Sequence, residues 1–131
     1  MFRGLHPTKV RVASLIATFT IGTLLGVSYL AVSRWQRVVR DANEQALQNN
    51  LLAIRNAIHQ YSVDNQALPE SLEDLIHRRY IGNLQDPITG RRDWRIAIGD
   101  DPGLPKGKRG VIDVHSASAA ISSRGTPYNS W

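Results

Sequence analysis

From Val12 to Ser33 the chain runs for 22 residues without a charged side chain (VASLIATFTIGTLLGVSYLAVS). As a helix this run spans about 33 Å, which matches a hydrocarbon core of about 30 Å. Gly22, Gly26 and the several Ser and Thr residues are tolerated in such helices. A soluble helix of this length would need a polar face, and this one has none. The run therefore predicts a membrane span at 12–33, with the lipid bilayer as a partner.

The charges are distributed around that run. The chain carries 16 basic and 11 acidic side chains, a net charge of +5. Arg3, Lys9 and Arg11 precede the span with no acid among them, and Arg34, Arg37, Arg40 and Arg55 stand against Asp41 and Glu44 in 34–63. Residues 64–131 hold nine bases and nine acids and are neutral. The positive excess thus flanks an apolar segment, and no nucleic-acid partner is expected. Three basic residues and the N-terminal amine on one side tip the Lys/Arg bias toward a cytoplasmic leader at 1–11, with the remainder outside. Ala31-Val32-Ser33 also has the small residues that a leader peptidase reads, which leaves open a secreted or signal-anchored periplasmic binding domain. The absence of cysteine excludes disulfides, zinc–thiolate sites and thiol catalysis.

Beyond the span, Arg34 to Tyr61 has neither Pro nor Gly. Leu47, Leu51, Ile54, Ile58 and Tyr61 recur at three and four, the spacing of one helical face, with Arg40, Asp41, Glu44, Gln48 and Arg55 expected largely on other faces. An amphipathic continuation of the helix over 34–63, ended by Asp64-Asn65, follows. Pro69 suits the first position of a second helix, whose apolar face would be Leu72, Leu75 and Ile76 and whose terminator would be Gly82. Asp86-Pro87-Ile88-Thr89-Gly90 reads as a turn. Trp94, Ile96 and Ile98 alternate with polar or small residues as a half-buried strand, and Val111–His115 reads as another. Gly103 to Gly110 (GLPKGKRG) is a short basic loop. Two antiparallel strands alone are marginal in water, so they need the helix stripe to pack against. The predicted class is α+β: a long N-terminal helix packed on a small antiparallel β-meander, with a head over 64–131.

In this order the parts resemble the type IV pilin superfamily, and most closely the G-type major pseudopilins of type II secretion systems. The resemblance rests on Tyr61, Asp64, Asn65, Pro69 and Leu72, then Asp86, Pro87 and Gly90, then Trp94. It continues through Asp113 and Ser116 and closes on Gly125, Tyr128 and Trp131. It implies a structural subunit of an export machine in the bacterial inner membrane, with a single span and a periplasmic head. Its partners would be other pseudopilins or itself, together with inner-membrane components of the secretion system. The sequence departs from the family in two places. Family members carry a Gly-Phe processing junction and a Glu five residues into the mature chain, whereas no acid occurs here before Asp41. They also bind calcium in the loop after the last strand. That loop here, Ser116 to Gly125, contains no acid. Calcium needs several hard oxygen ligands, so the calcium site is expected to be lost and no cofactor is expected.

No catalytic motif stands out. The four histidines, His6, His59, His77 and His115, include no helical i, i+4 pair. His115 and Asp113 share one strand face, as an acid/base pair or as a hydrogen bond that fixes the strand. The sequence predicts no enzyme.

Overall fold

A computed structural model describes residues 7–104 and 109–131. Arg3 and His6 of the predicted leader and positions 105–108 of the basic loop lie outside the described residues. Helix α1 (Pro7–Asn65) is followed by a short helix α2 (Leu72–His77), strand β1 (Arg95–Gly99), strand β2 (Gly110–His115) and a 3-10 turn (Tyr128–Ser130). The chain divides into two compact units, Met1–Val39 and Arg40–Trp131.

In the first unit α1 carries no buried side chain from Thr8 to Val39. Leu15 is 71% exposed and Phe19 74%, so the apolar surface is open on every side. Four of its hydroxyl side chains bond back to the helix itself. Thr18 Oγ1 donates to the Ser14 carbonyl, Thr20 to Ala17, Thr23 to Phe19 and Thr20, and Ser33 to Leu30. Such back-bonding returns these four hydroxyl donors to the helix backbone.

The second unit is α+β, with the expected stripe as its centre. Leu47, Leu51, Ile54, Ala57, Ile58 and Tyr61 of α1 form one buried cluster with Leu75, Val111, Val114 and Tyr128. α1 ends at Asn65, as the Asp64-Asn65 pair predicts, with Gln66 in the left-handed region (φ 51°).

α2 differs from expectation at both ends. Pro69 is not its first residue. Ser71 caps it, its hydroxyl accepting from Asp74 N–H while the Asp74 carboxylate accepts from Ser71 N–H. This reciprocal box satisfies two otherwise free donors, so the start falls at Leu72. Gly82 is not the terminator either. Tyr80 N–H bonds to the Leu75 carbonyl and Arg79 N–H to that of Ile76, with Arg79 in the left-handed conformation (φ 62°). These are the two bonds of a Schellman cap, made here by a non-glycine residue.

β1 and β2 pair antiparallel, forming a two-stranded sheet rather than a longer meander among the described residues. A bulge interrupts the register: Ala97 faces Asp113, Ile98 faces Val111, and Ile112 is the extra residue between them. The extra residue lets Val111 and Val114, three apart, both be buried, which strict alternation would forbid. It also overturns the expected burial of β1. Ile96 and Ile98 remain 44% and 46% exposed, because β2 supplies the buried strand residues. Trp94 precedes the strand, half-buried against the core, and its indole N–H donates to the Leu84 carbonyl (3.2 Å).

Gly110 is where β2 meets the segment before α2. Val111 N–H donates to the Pro69 carbonyl (2.8 Å), and a Cβ at Gly110 would lie 2.5 Å from Leu68 Cβ and 2.7 Å from the Pro69 oxygen. Backbone atoms cannot yield there, so Gly110→Ala is expected to cost about 1–3 kcal/mol, read as a lowered denaturation midpoint with an unchanged m-value.

Candidate functional site

Most of the residues singled out from the sequence fall into polar joints of the Arg40–Trp131 unit. The first is at the end of α1. Asp64 accepts from the Tyr80 hydroxyl (2.8 Å), and Asn65 bonds to Tyr61, Tyr80 and Arg78. Tyr61 packs against the Tyr80 ring at 5.5 Å, and the Arg78 guanidinium lies over the Tyr61 ring at 5.3 Å from its centroid. The hydrogen bond to Asp64 and burial push the Tyr80 phenol up. Pro69 is buried where its carbonyl accepts from Val111 N–H, and Leu72 packs on the core.

The second joint is fully buried. Asp86 and Ser116 are both 0% exposed, and the Ser116 hydroxyl donates to an Asp86 carboxylate oxygen at 2.5 Å. The other oxygen accepts from Ile88 N–H, an Asx turn across Pro87, and Gly90 at φ 69° closes the loop onto the Asp86 carbonyl. Ser116 Oγ in turn accepts from Ser118 N–H. The two loops are thus pinned through one carboxylate.

The third joint ties α1 to β2 and the last turn. Arg55 donates from Nε to Asp113 (2.7 Å) and from Nη2 to the main-chain oxygens of Val114 and Trp131. His115 donates from Nδ1 to the Trp131 oxygen, and its Nε2 lies 3.4 Å from Asp113. Partial burial pushes the Asp113 carboxyl up, but hydrogen bonds from Arg55 and Val114 N–H and the charges of Arg55 and His115 outweigh it and hold the group below its ordinary range. A carboxylate so held is a weak base, and its geometry is that of a fastening between elements.

Glu44 was expected on a polar face, yet it is 6% exposed and forms the centre of the loop's attachment. Its carboxylate accepts from Ser123 N–H (2.7 Å), the Ser123 hydroxyl and the Tyr128 hydroxyl (2.8 Å). Burial alone would raise its pKa; the bonds from Ser123 and Tyr128 and the charge of Arg40 outweigh that and lower it. Burial and Glu44 together push the Tyr128 phenol up to about 12. Gly125 (φ 78°) turns the loop, whose Ser122 and Thr126 are bonded across it, and Tyr128 packs edge-on to Trp131 at 5.3 Å. The residues present do not fit a calcium ion. The loop offers no carboxylate, Asp113 is engaged by Arg55, and Glu44 already holds three donors. Among the described residues no group of three His, Cys, Asp or Glu side chains converges.

Beside the loop lies an open groove of about 460 Å³ lined by Gln48, Leu51, Leu52, Arg55, Arg124, Thr126 and Trp131. Of these, the sequence marks Leu51 for the buried stripe, Gln48 and Arg55 for the other faces of α1 and Trp131 for the closing turn, but does not bring them together. The missed signal for Glu44 is its position three before Leu47, which continues the stripe; for Arg124 the sequence holds no such signal.

No family model matches this chain, and neither the curated proteins nor the solved structures contain a match to it.

Proposed function

We propose that the chain is a pseudopilin-like structural subunit of a type II secretion or type IV pilus-like machine. It sits in the bacterial inner membrane by one span with its head in the periplasm. It acts in protein export through association of membrane helices and lateral packing of heads, with copies of itself, other pseudopilins and inner-membrane components as neighbours. The observation that carries this reading is the bare apolar sleeve of α1. An 18-residue window with mean hydropathy 1.9 has none of its residues buried by the chain itself. At about 25 cal/mol per Å² of apolar surface, such a sleeve is covered by lipid or by other helices, not by water. Gly22 and Gly26, one turn apart with open space at both, are suited to close approach of a second helix. The joints described above fasten the loops of the head to α1 and to each other.

The experiment is membrane fractionation followed by intact mass. A chain that resists alkaline extraction and retains 12–33 supports the anchored subunit. A soluble product beginning at Arg34 supports instead the secreted or signal-anchored binding domain, since the Arg40–Trp131 unit encloses its own core.

A further inference from the structure

The groove beside the loop carries a cation that the chain does not neutralise. Arg55 is paired with Asp113, but Arg124 makes no ion pair among the described residues. Its position is nevertheless fixed. With the Gln48 amide turned so that its oxygen rather than its nitrogen faces the guanidinium, that oxygen accepts from Nη1 and Nη2 at 3.2 and 2.7 Å, and the guanidinium stacks over the Trp131 ring at 5.2 Å. Both partners are neutral, so the full charge faces a groove floored by Leu51, Leu52 and Trp131. Leu52 is 59% exposed there. A rigid cation beside apolar surface is complementary to a carboxylate beside an apolar side chain.

The same chain displays that complement elsewhere on the unit. Glu70 and Glu73 are exposed on either side of half-buried Leu72, at the start of α2. Neither makes an ion pair among the described residues. The capping box occupies Asp74 and leaves these two carboxylates free of the cap. No residue is shared between this acidic edge and the groove.

We infer that the groove around Arg124 receives the Glu70–Glu73 edge of α2 from a second copy of this chain. The contact is heterologous, one surface meeting a different one, so it does not close on itself in a pair and can extend from copy to copy. This deepens the proposed function by naming the surfaces through which heads pack, and it rests on that reading.

The test uses the full chain in bacterial membranes, where the lack of native cysteine leaves every introduced thiol unambiguous. Thr126→Cys combined with Glu73→Cys is expected to give a ladder of disulfide-linked oligomers on mild oxidation. Either single substitution should give no ladder. Arg124→Glu in the double-cysteine chain is expected to reduce the ladder about tenfold or more through like-charge contact, and adding Glu70→Arg should restore it. Arg124→Gln, which keeps the length and removes the charge, gives an intermediate yield, and unchanged melting of each variant shows that the head remains folded. Absence of the ladder, while cysteines at Gly22 or Gly26 still cross-link, overturns this contact and leaves the subunit reading standing. Failure at both places overturns both. Linkage of the groove thiol to a different protein overturns the assignment of a second copy.

Discussion

Glu44→Ala is expected to lower the stability of the Arg40–Trp131 unit by about 3 kcal/mol, the scale for removing a charged acceptor from buried donors. The loss has a definite origin. Tyr128 is 4% exposed, so its hydroxyl cannot turn to water when the carboxylate is gone, and Ser123 loses bonds to both its amide and its hydroxyl. For a unit of this size the melting temperature should fall by about 15 °C. Near-UV circular dichroism of the full chain in nanodiscs reads it. The same carboxylate gives the head an acid sensitivity of known sign. Its folded pKa lies below the ordinary 4.5, so the folded state holds the proton more weakly than the unfolded chain does. Its contribution is therefore complete above that ordinary value and is lost as pH falls through the lower folded one. Glu44→Gln should flatten this acid limb in part. Asp113 and Asp93, also held low, contribute in the same direction.

Asp86→Ala is expected to cost about as much, again about 3 kcal/mol, but with a different signature. It strands the Ser116 hydroxyl at a site of 0% exposure and releases Ile88 N–H. The loops at 86–91 and 116–118 then lose the carboxylate that joins them. Hydrogen exchange should quicken at Ile88, Gly90 and Ser118, while the amides of α1 between Leu47 and Tyr61 change only by the global loss. Asp86→Asn keeps an acceptor for Ile88 and should recover part of the effect. A uniform change in exchange would place the cost elsewhere.

The long helix and its buried stripe were legible because period and length are written in consecutive residues. Leu47, Leu51, Ile54, Ile58 and Tyr61 are all buried where spacing puts them. The ends of α2 were less legible. Pro69 and Gly82 are strong local signals, but the Ser71–Asp74 box and the Leu75–Tyr80 cap satisfy more backbone groups and so decide the boundaries. Alternation misled at β1 because a bulge in the partner strand changes which residues reach the core, and no residue within β1 records that. At Glu44 charge points to a polar face while its spacing from Leu47 points to the buried one. A carboxylate is admitted to a core when donors from elsewhere in the chain meet it, and those donors lie 79 and 84 residues away. Asp86 with Ser116, and Asp113 with Arg55, were legible as residues but not as partners, for the same reason of distance along the chain.

In the proposed function α1 works in the membrane by packing against other helices. Disulfide scanning tests it most directly, with single cysteines placed in turn from Ser14 to Leu30 of the full chain in its native membrane. Cross-links should recur every three to four positions and peak at Gly22 and Gly26. Uniform absence of cross-links along the segment, in a chain shown to retain it, would rule out helix packing as the role of α1.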